Sequence, residues 1–465
     1  MSRALHKGQR VEVTFTGYDE DGRAVGTGPG DVEVRVPGGV RGERAEVKIA
    51  HVSPHQDVAW AHLRRVIEAS PLRLRDPGAP GHVCGGCPFA HLHAEEELAV
   101  KRGRLEALAR GCPEATLGQP VVLSAPGRTG YRNRAKYVVG QRNGRVVLGG
   151  YLPRSHHVVG TVGCPVTDPA VAGAAAALEA SLGQGPWPAY DEARGEGTLR
   201  YAGVRVNHAG QVLLTLVTAR EPEPPLDSLV ASLREQVPGL HGVTLDVNDT
   251  PGNVIFSGRE RVLWGEGTLL ERYGPARVRL SGHGFGQVNR DQAARLFDGA
   301  ARAALAPLPG GASPQRIWEL FAGTGALTQV IAHTAAGRGV EVVGVERDET
   351  AVRLARQAVT EQALAGIRFE AADARAWLAA DRAPEPPDVL VLDPPRAGCR
   401  SPLRQALIRL APPRIVYVSC SVRTLGRDLA ALREGGYAVR SLQGVDLMPL
   451  TPHLEVLAVL ERAAP

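Results

Sequence analysis

At 465 residues and 43% hydrophobic content, the chain is long enough for roughly two to four domains, each with its own core. Six cysteines are too few for a disulfide framework, and no run approaches the 18 or so apolar residues that a membrane span needs. The net charge of +5 rests almost entirely on arginine, because lysine occurs only at Lys7, Lys48, Lys101 and Lys136; arginine forks bind phosphate and stack on bases, so a polyanionic partner is expected.

In chain order, "MSRALHKGQR" lacks the apolar core of a signal peptide, and a cytoplasmic location is expected. Residues 8–66 alternate as strands do ("RVEVTFTG", "DVEVRVPG", "RAEVKIAHV") with glycine-rich turns between them, which predicts a small OB-like β-barrel. Residues 67–92 read as loop and contain "CGGC", Cys84 to Cys87. The run "EEELAVKRGRLEALAR" has helical spacing over 95–110. Residues 126–270 mix strands with acidic and proline-rich connections, an α+β pattern without a motif that reads as chemistry. Arginine-rich stretches at 73–76 and 130–136 are candidates for tracking a nucleic-acid backbone. No long apolar surface helix stands out, so a monomer with no evident protein partner is expected.

Over the last 190 residues strands and helices alternate: "RIWELF", a helix from about 325, "VEVVGVE", a helix over 349–362, "IRFEAAD", "DVLVLD", "RIVYVSC" and "HLEVLAVLER". This is the signature of a mostly parallel α/β sheet, which binds ligands at the carboxyl ends of its strands. The first strand runs into "FAGTG", where Phe321, Gly323 and Gly325 form a turn that lets backbone approach a ligand at a helix N-terminus. The second strand ends in Glu346, suited to accept the two hydroxyls of a ribose, and the third is followed by Asp373, placed to read an adenine edge. Thr328 stands where a dinucleotide fingerprint has its third glycine, so NAD is disfavoured and S-adenosylmethionine fits better.

The fourth strand ends in "DPPRAGC", a rigid turn in which Asp393 is a polar acceptor. Arg396 occupies the place of the aromatic that amine-directed methyltransferases often carry, which argues against an exocyclic amine as target. Cys420 ends the fifth strand. Carbon 5 of uracil is too weak a nucleophile to displace methyl from a sulfonium, but thiolate addition to carbon 6 makes it an enolate carbon, and a base must then remove the carbon-5 proton. Glu455, opening the last strand, is the first candidate base and His453 the second.

On these residues the C-terminal half resembles the RNA (uracil-5-)-methyltransferase family, which makes 5-methyluridine in tRNA and 23S ribosomal RNA. "GFGQVN" (284–289), "LDPPRAG", "YVSCSVRTLGRDL" (417–429) and "HLEVLAVLER" follow in the family's order. The resemblance implies a Rossmann-like class I methyltransferase domain using S-adenosylmethionine, Gln287 and Asp393 at the cofactor, and Phe285 stacking on the target base. Asp393 and Arg396 would meet the uracil, Cys420 would be the nucleophile and Glu455 the base. "RVPGGVRGERAEVKI" is similar to the TRAM module, an RNA-binding barrel. The implied architecture is multidomain α/β: a barrel over 1–66, an α+β central domain from 67–92 and 126–270, and the methyltransferase domain from 93–125 and 271–465.

The chain departs from the family at Glu319, Ala322 and Ala326 in the glycine turn. Many members hold a four-iron, four-sulfur cluster on four cysteines; Cys84, Cys87 and Cys164 match three of them, and Gly78 stands at the fourth. An open iron site, Cys112 or another group as replacement ligand, no metal at all, or zinc on the three cysteines with His82 or His91 are the alternatives. The RNA partner is expected to be 23S rRNA before tRNA. Cytosine-5 methylation, and an RNA-binding factor with a decayed cofactor pocket, are the rival readings.

Overall fold

A computed structural model describes residues 5–75, 84–112, 121–152, 155–192, 194–250, 252, 254–379 and 385–462. The chain divides into two compact units, Met1–Arg104 with Met448–His453, and Leu105–Leu447 with Leu454–Pro465. Among the described residues no helix is long and apolar enough to cross a membrane.

In the first unit, β1 (Arg10–Tyr18), β2 (Ala24–Thr27), β3 (Glu33–Val36), β4 (Arg44–Val52) and β5 (Val58–Glu68) close into a barrel in the order β1-β2-β3-β5-β4. Strict alternation along these strands sends Val11, Val13, Phe15, Val34, Val47 and Ile49 into one core, the period of two that the sequence pattern announced. Gly39 leaves room for Phe15, whose ring would lie 2.5 Å from a Cβ there.

The second unit holds two large sheets. After β6 (Val121–Leu123), the central sheet is built from β7 (Arg134–Arg142), β8 (Arg145–Tyr151), β9 (Val158–Gly160), β10 (Leu199–Val206), β11 (Val212–Thr218), β12 (Leu240–Val247) and β13 (Glu260–Gly265), ordered β13-β12-β11-β10-β7-β8-β9. Helices Pro169–Gln184 and Asp227–Gln236 cover one face, their Val171, Leu178, Leu229 and Leu233 packing with Tyr137, Val139, Val204 and Leu214 of the strands. Next comes the hairpin β14 (Thr268–Tyr273) and β15 (Ala276–Ser281).

The C-terminal sheet contains β16 (Arg316–Leu320), β17 (Glu341–Glu346), β18 (Ile367–Ala371), β19 (Val389–Leu392), β20 (Arg414–Ser419), β21 (Tyr437–Val445) and β22 (Glu455–Arg462). Its order is β18-β17-β16-β19-β20-β22-β21-β6, with β16 to β20 parallel and β22 antiparallel to both neighbours. These strands are nearly continuous runs of Val, Ile and Leu because both faces are covered. Order reverses at β16, between β17 and β19, so the crevice at a topological switch point opens beyond the carboxyl ends of those strands. β6 and β21 add an edge that the sequence pattern did not announce: three residues of β6 pair in parallel with Gln443–Val445.

Candidate active site

The turn after β16 is shaped by backbone. Phe321 has φ +67, Gly323 +55 and Gly325 +79; for a residue with a side chain the left-handed region is strained, and such strain gathers at functional turns. Gly325 is also needed for packing, since a Cβ would lie 2.3 Å from the Phe369 ring, whereas nothing lies within 4 Å of a Cβ on Gly323. Glu346, at the tip of β17, is locked against this turn: one oxygen accepts from Gly323 N–H at 3.0 Å, the other from Arg347 and Asp348 N–H at 2.8 and 3.0 Å. Asp373 caps the helix Ala374–Ala379 by accepting from Arg375 and Ala376 N–H. Glu346, Asp373 and Asp393 thus follow β17, β18 and β19 in turn. Such an acceptor-rich set fits a cationic sulfonium that also carries ribose hydroxyls and an exocyclic amine.

Beneath the turn lies Glu319, which is buried and accepts from the Thr328 hydroxyl. Burial pushes its carboxyl up to about 8, helped by Asp393 and Glu346 and opposed by Thr328. The Thr328 hydroxyl, at the position where a dinucleotide motif has glycine, is thus the partner of this acid. Since the unfolded chain releases this proton near pH 4.5 and the fold holds it to about 8, stability falls as pH rises through that window, by at most about 1.4 kcal/mol per pH unit. Glu319→Gln is expected to flatten that decline, measured as the difference in Tm between the two proteins from pH 5 to 8.

The reacting pair comes from adjacent antiparallel strands. The ladder between these strands ends at Ser419 with Val456, and Cys420 and Glu455 stand one residue beyond that last pair. Ser421 then caps the helix Val422–Glu434 by accepting from Thr424 N–H, which places Cys420 just ahead of a helix N-terminus. Burial pushes the Cys420 thiol up to about 11; the Glu455 and Asp393 charges add to this and Arg396 opposes it. Glu455 is buried and held up at about 8 by desolvation and by Asp393, again against Arg396. Asp393 itself is pushed up to about 7 by desolvation. Residues read from three separate stretches of sequence, Asp393 with Arg396, Cys420, and Glu455, thus act on one another electrostatically. His453 falls in the other compact unit.

One residue of this region escaped the sequence reading. Asp428 is fully buried; one oxygen accepts from Cys399 N–H and the Tyr417 hydroxyl at 2.7 and 2.8 Å, and the other from Arg404 and Arg427 at 2.9 and 2.8 Å. It clamps the turn that carries Asp393 and Arg396, and Gly398 (φ +68) is required because a Cβ would lie 2.4 Å from its carboxylate. The available signal was an acid inside the apolar stripe Leu425, Leu429, Leu432. Asp428→Ala leaves two guanidinium groups without their anion; a loss of about 3–5 kcal/mol is expected, read by chemical denaturation.

The segment before helix Arg290–Leu305 presents two further residues. Phe285 is 71% exposed, a large apolar ring in water, while Gln287 is held by its carbonyl, which accepts from Tyr273 hydroxyl and Asn133 Nδ2 at 3.2 and 3.1 Å. Asn289 caps the helix and donates to Leu447 carbonyl at 3.1 Å, anchoring the segment from below.

The cysteine reading fares differently. Gly78 and His82 lie outside the described residues. Cys84 accepts from Gly86 N–H, Cys112 is buried in the core of the second unit, and His91 Nε2 donates to Gly39 carbonyl at 3.1 Å. Among the described residues no group of three or more His, Cys, Asp and Glu side chains is disposed to hold a metal ion.

A methyltransferase-domain family model matches residues 313–436, which span β16 to β20 with the Gly323–Gly325 turn, Asp393 and Cys420. An uncharacterized RNA methyltransferase of Thermosynechococcus vestitus is 34% identical over 458 residues, covering 98% of both chains. Another, of Halalkalibacterium halodurans, is 31% identical over 469 residues with the same coverage. The crystal structure of Pyrococcus abyssi tRNA (uracil-54, C5)-methyltransferase in complex with S-adenosyl-L-homocysteine is similar in fold over 97% of this chain and 100% of that one, with a TM-score of 0.76 and 24% identity. With relatives this similar along nearly its whole length, the chain belongs to the RNA methyltransferase family.

Proposed function

We propose that this RNA methyltransferase places a methyl group on carbon 5 of a uridine, through a covalent bond from Cys420 to carbon 6. The observation that carries the reading is the register of Cys420 beside Glu455, with the Asp393–Arg396 turn close enough to shift both groups. S-adenosylmethionine, held by Glu346, Asp373, Asp393 and Gln287 at the Phe321–Gly325 turn, would supply an electrophilic methyl group.

Phe285 stacks on the extruded base, and Asp393 and Arg396 orient its polar edge. The Cys420 thiol gives up its proton to solvent and Sγ bonds to carbon 6 while the carbon 5–carbon 6 π pair shifts toward carbon 5 and the ring carbonyl. Arg396 is the charge in the site that favours the thiolate. Once carbon 5 carries its methyl, Glu455 takes the carbon-5 proton, the double bond reforms and the thiolate leaves. A carboxylate whose proton affinity is raised toward 8 by burial is a stronger base than an ordinary carboxylate, which suits it to take that proton.

The RNA favoured is 23S rRNA, with tRNA second. Mass spectrometry of rRNA and tRNA fragments from cells lacking the gene tests both. Loss of 5-methyluridine from one fragment, restored by the wild-type gene and not by Cys420→Ala, is the expected result. An unchanged set of methylated pyrimidines would defeat the uracil reading.

A further inference from the structure

The face of the central sheet opposite its two helices carries an arrangement that the methyl-transfer chemistry leaves unexplained. On β7, Tyr137 and Val139 point into the helix-packed core, so by strand alternation Arg134 and Lys136 belong to the helix-free face. Arg134 pairs directly with Arg205 of β10, and Lys136 pairs with Gly203. Like charges directly opposite one another on a sheet are destabilising. The space above Gly203 is filled by Phe256, and Lys136 Nζ and the Arg134 guanidinium lie 5.0 and 5.7 Å from the centre of that ring.

Two cations thus meet over one aromatic ring with Arg205 paired beside them, and among the described residues none of the three has a carboxylate partner. The nearest acids are engaged elsewhere. Glu260 accepts from His283 at 2.7 Å and from Thr244 at 2.5 Å, and Glu271 accepts from Arg290 and from His208 N–H. Arg134 and Arg205 spend their donors on backbone: both donate to Gly284 carbonyl, at 2.8 and 2.5 Å, and Arg134 also to Gly282 carbonyl. That holds the residue immediately before the exposed Phe285. Lys136 is exposed and its ammonium keeps its donors for a ligand. Burial first, and then repulsion by the neighbouring arginines, lowers the proton affinity of Arg134 and Lys136, to about 9 and about 8.

We propose that Lys136, backed by Arg134 and Arg205, is the seat of one phosphate of the RNA strand whose base Phe285 stacks. The site needs RNA as ligand and rests on the Phe285 reading only for which nucleotide it serves. A single phosphate contact has a distinct signature, because each neutralised phosphate of a single strand contributes about 0.7 to the slope of log K against log salt.

The test is fluorescence anisotropy of the full-length protein with a labelled RNA hairpin bearing uridines in its unpaired loop, across a potassium chloride series. Lys136→Met retains the apolar cover over Phe256 and removes the charge; it is expected to weaken binding several-fold and reduce the slope by about 0.7. Lys136→Arg is expected to restore the slope, and Phe285→Ala to weaken binding about ten-fold with the slope unchanged. S-adenosylmethionine affinity, read by calorimetry, is expected to be the same in Lys136→Met as in wild type. An unchanged salt slope in Lys136→Met overturns the proposal. So does weakened cofactor binding with an unchanged slope, which would assign the cations to the carboxylate of the cofactor. Neither outcome depends on which base or carbon is methylated.

Discussion

Glu455→Gln is expected to convert this enzyme from a turnover catalyst into a trap. The amide keeps the size of the side chain opposite Cys420 but cannot take a proton from carbon 5, so addition and methyl transfer proceed while elimination of the thiol stalls. Turnover should fall by about 10²- to 10⁴-fold, the range for loss of a positioned base. Incubated with RNA and S-adenosylmethionine, the variant should accumulate a protein–RNA band that survives denaturing electrophoresis. The band should be absent in Cys420→Ala and in the double variant, because the sulfur–carbon bond is then missing. A Glu455→Gln protein that turns over normally would remove Glu455 from the base role, and an adduct surviving Cys420→Ala would remove Cys420 as nucleophile.

The second large effect concerns the thiol before substrate arrives. With Cys420 pushed up to about 11, the free enzyme holds almost none of it as thiolate at neutral pH, and alkylation by iodoacetamide should rise roughly tenfold for each pH unit between 7 and 10. The same charges set the direction of two variants. Glu455→Gln removes an anion that raises the thiol, so alkylation at pH 8.5 should be faster than in wild type. Arg396→Gln removes the cation that opposes it and should make alkylation slower. Site-resolved peptide mass spectrometry follows Cys420 alone, with Cys399 as an internal reference that is buried and held at about 12. If Cys420 proved as reactive as an ordinary exposed thiol at pH 7, or if the two variants moved it the other way, the electrostatic coupling of the site would be wrong.

The high resting position of the thiol has a functional consequence. A thiol pushed up by burial beside the Glu455 and Asp393 carboxyls is expected to resist adventitious oxidation, since the thiolate is the reactive form. On the proposed mechanism, a cationic cofactor and a polarised uracil ring arriving together would offset the repulsion that Glu455 and Asp393 impose, tying covalent attack to assembly of both partners.

Legibility differed by element in a physically sensible way. The barrel strands and β16 to β20 announced themselves because period-two alternation and unbroken Val/Ile/Leu runs follow from burial on one face or on two. Cys420, Asp393, Glu346 and Glu455 were legible because each stands where a strand runs out or opens, and a parallel sheet gathers its strand ends along one edge. β6 stayed hidden because three residues of edge strand have too little pattern to register, and their partner β21 lies more than 300 positions away. Asp428 stayed hidden because its partners come from a strand, a turn and two helices, and spacing along one helix cannot name them.

By itself, then, the sequence determined the order of the strands along the chain, the chemistry of their ends and the family those residues resemble, all of which depend on short-range patterns. Only the tertiary structure decided which ends become neighbours: the ladder end that brings Glu455 near Cys420, the raised proton affinity of three buried acids, and the meeting of Arg134 and Lys136 over Phe256 with Arg205 paired beside Arg134. Those are properties of distance and desolvation, which arise only when segments remote in the chain exclude water together.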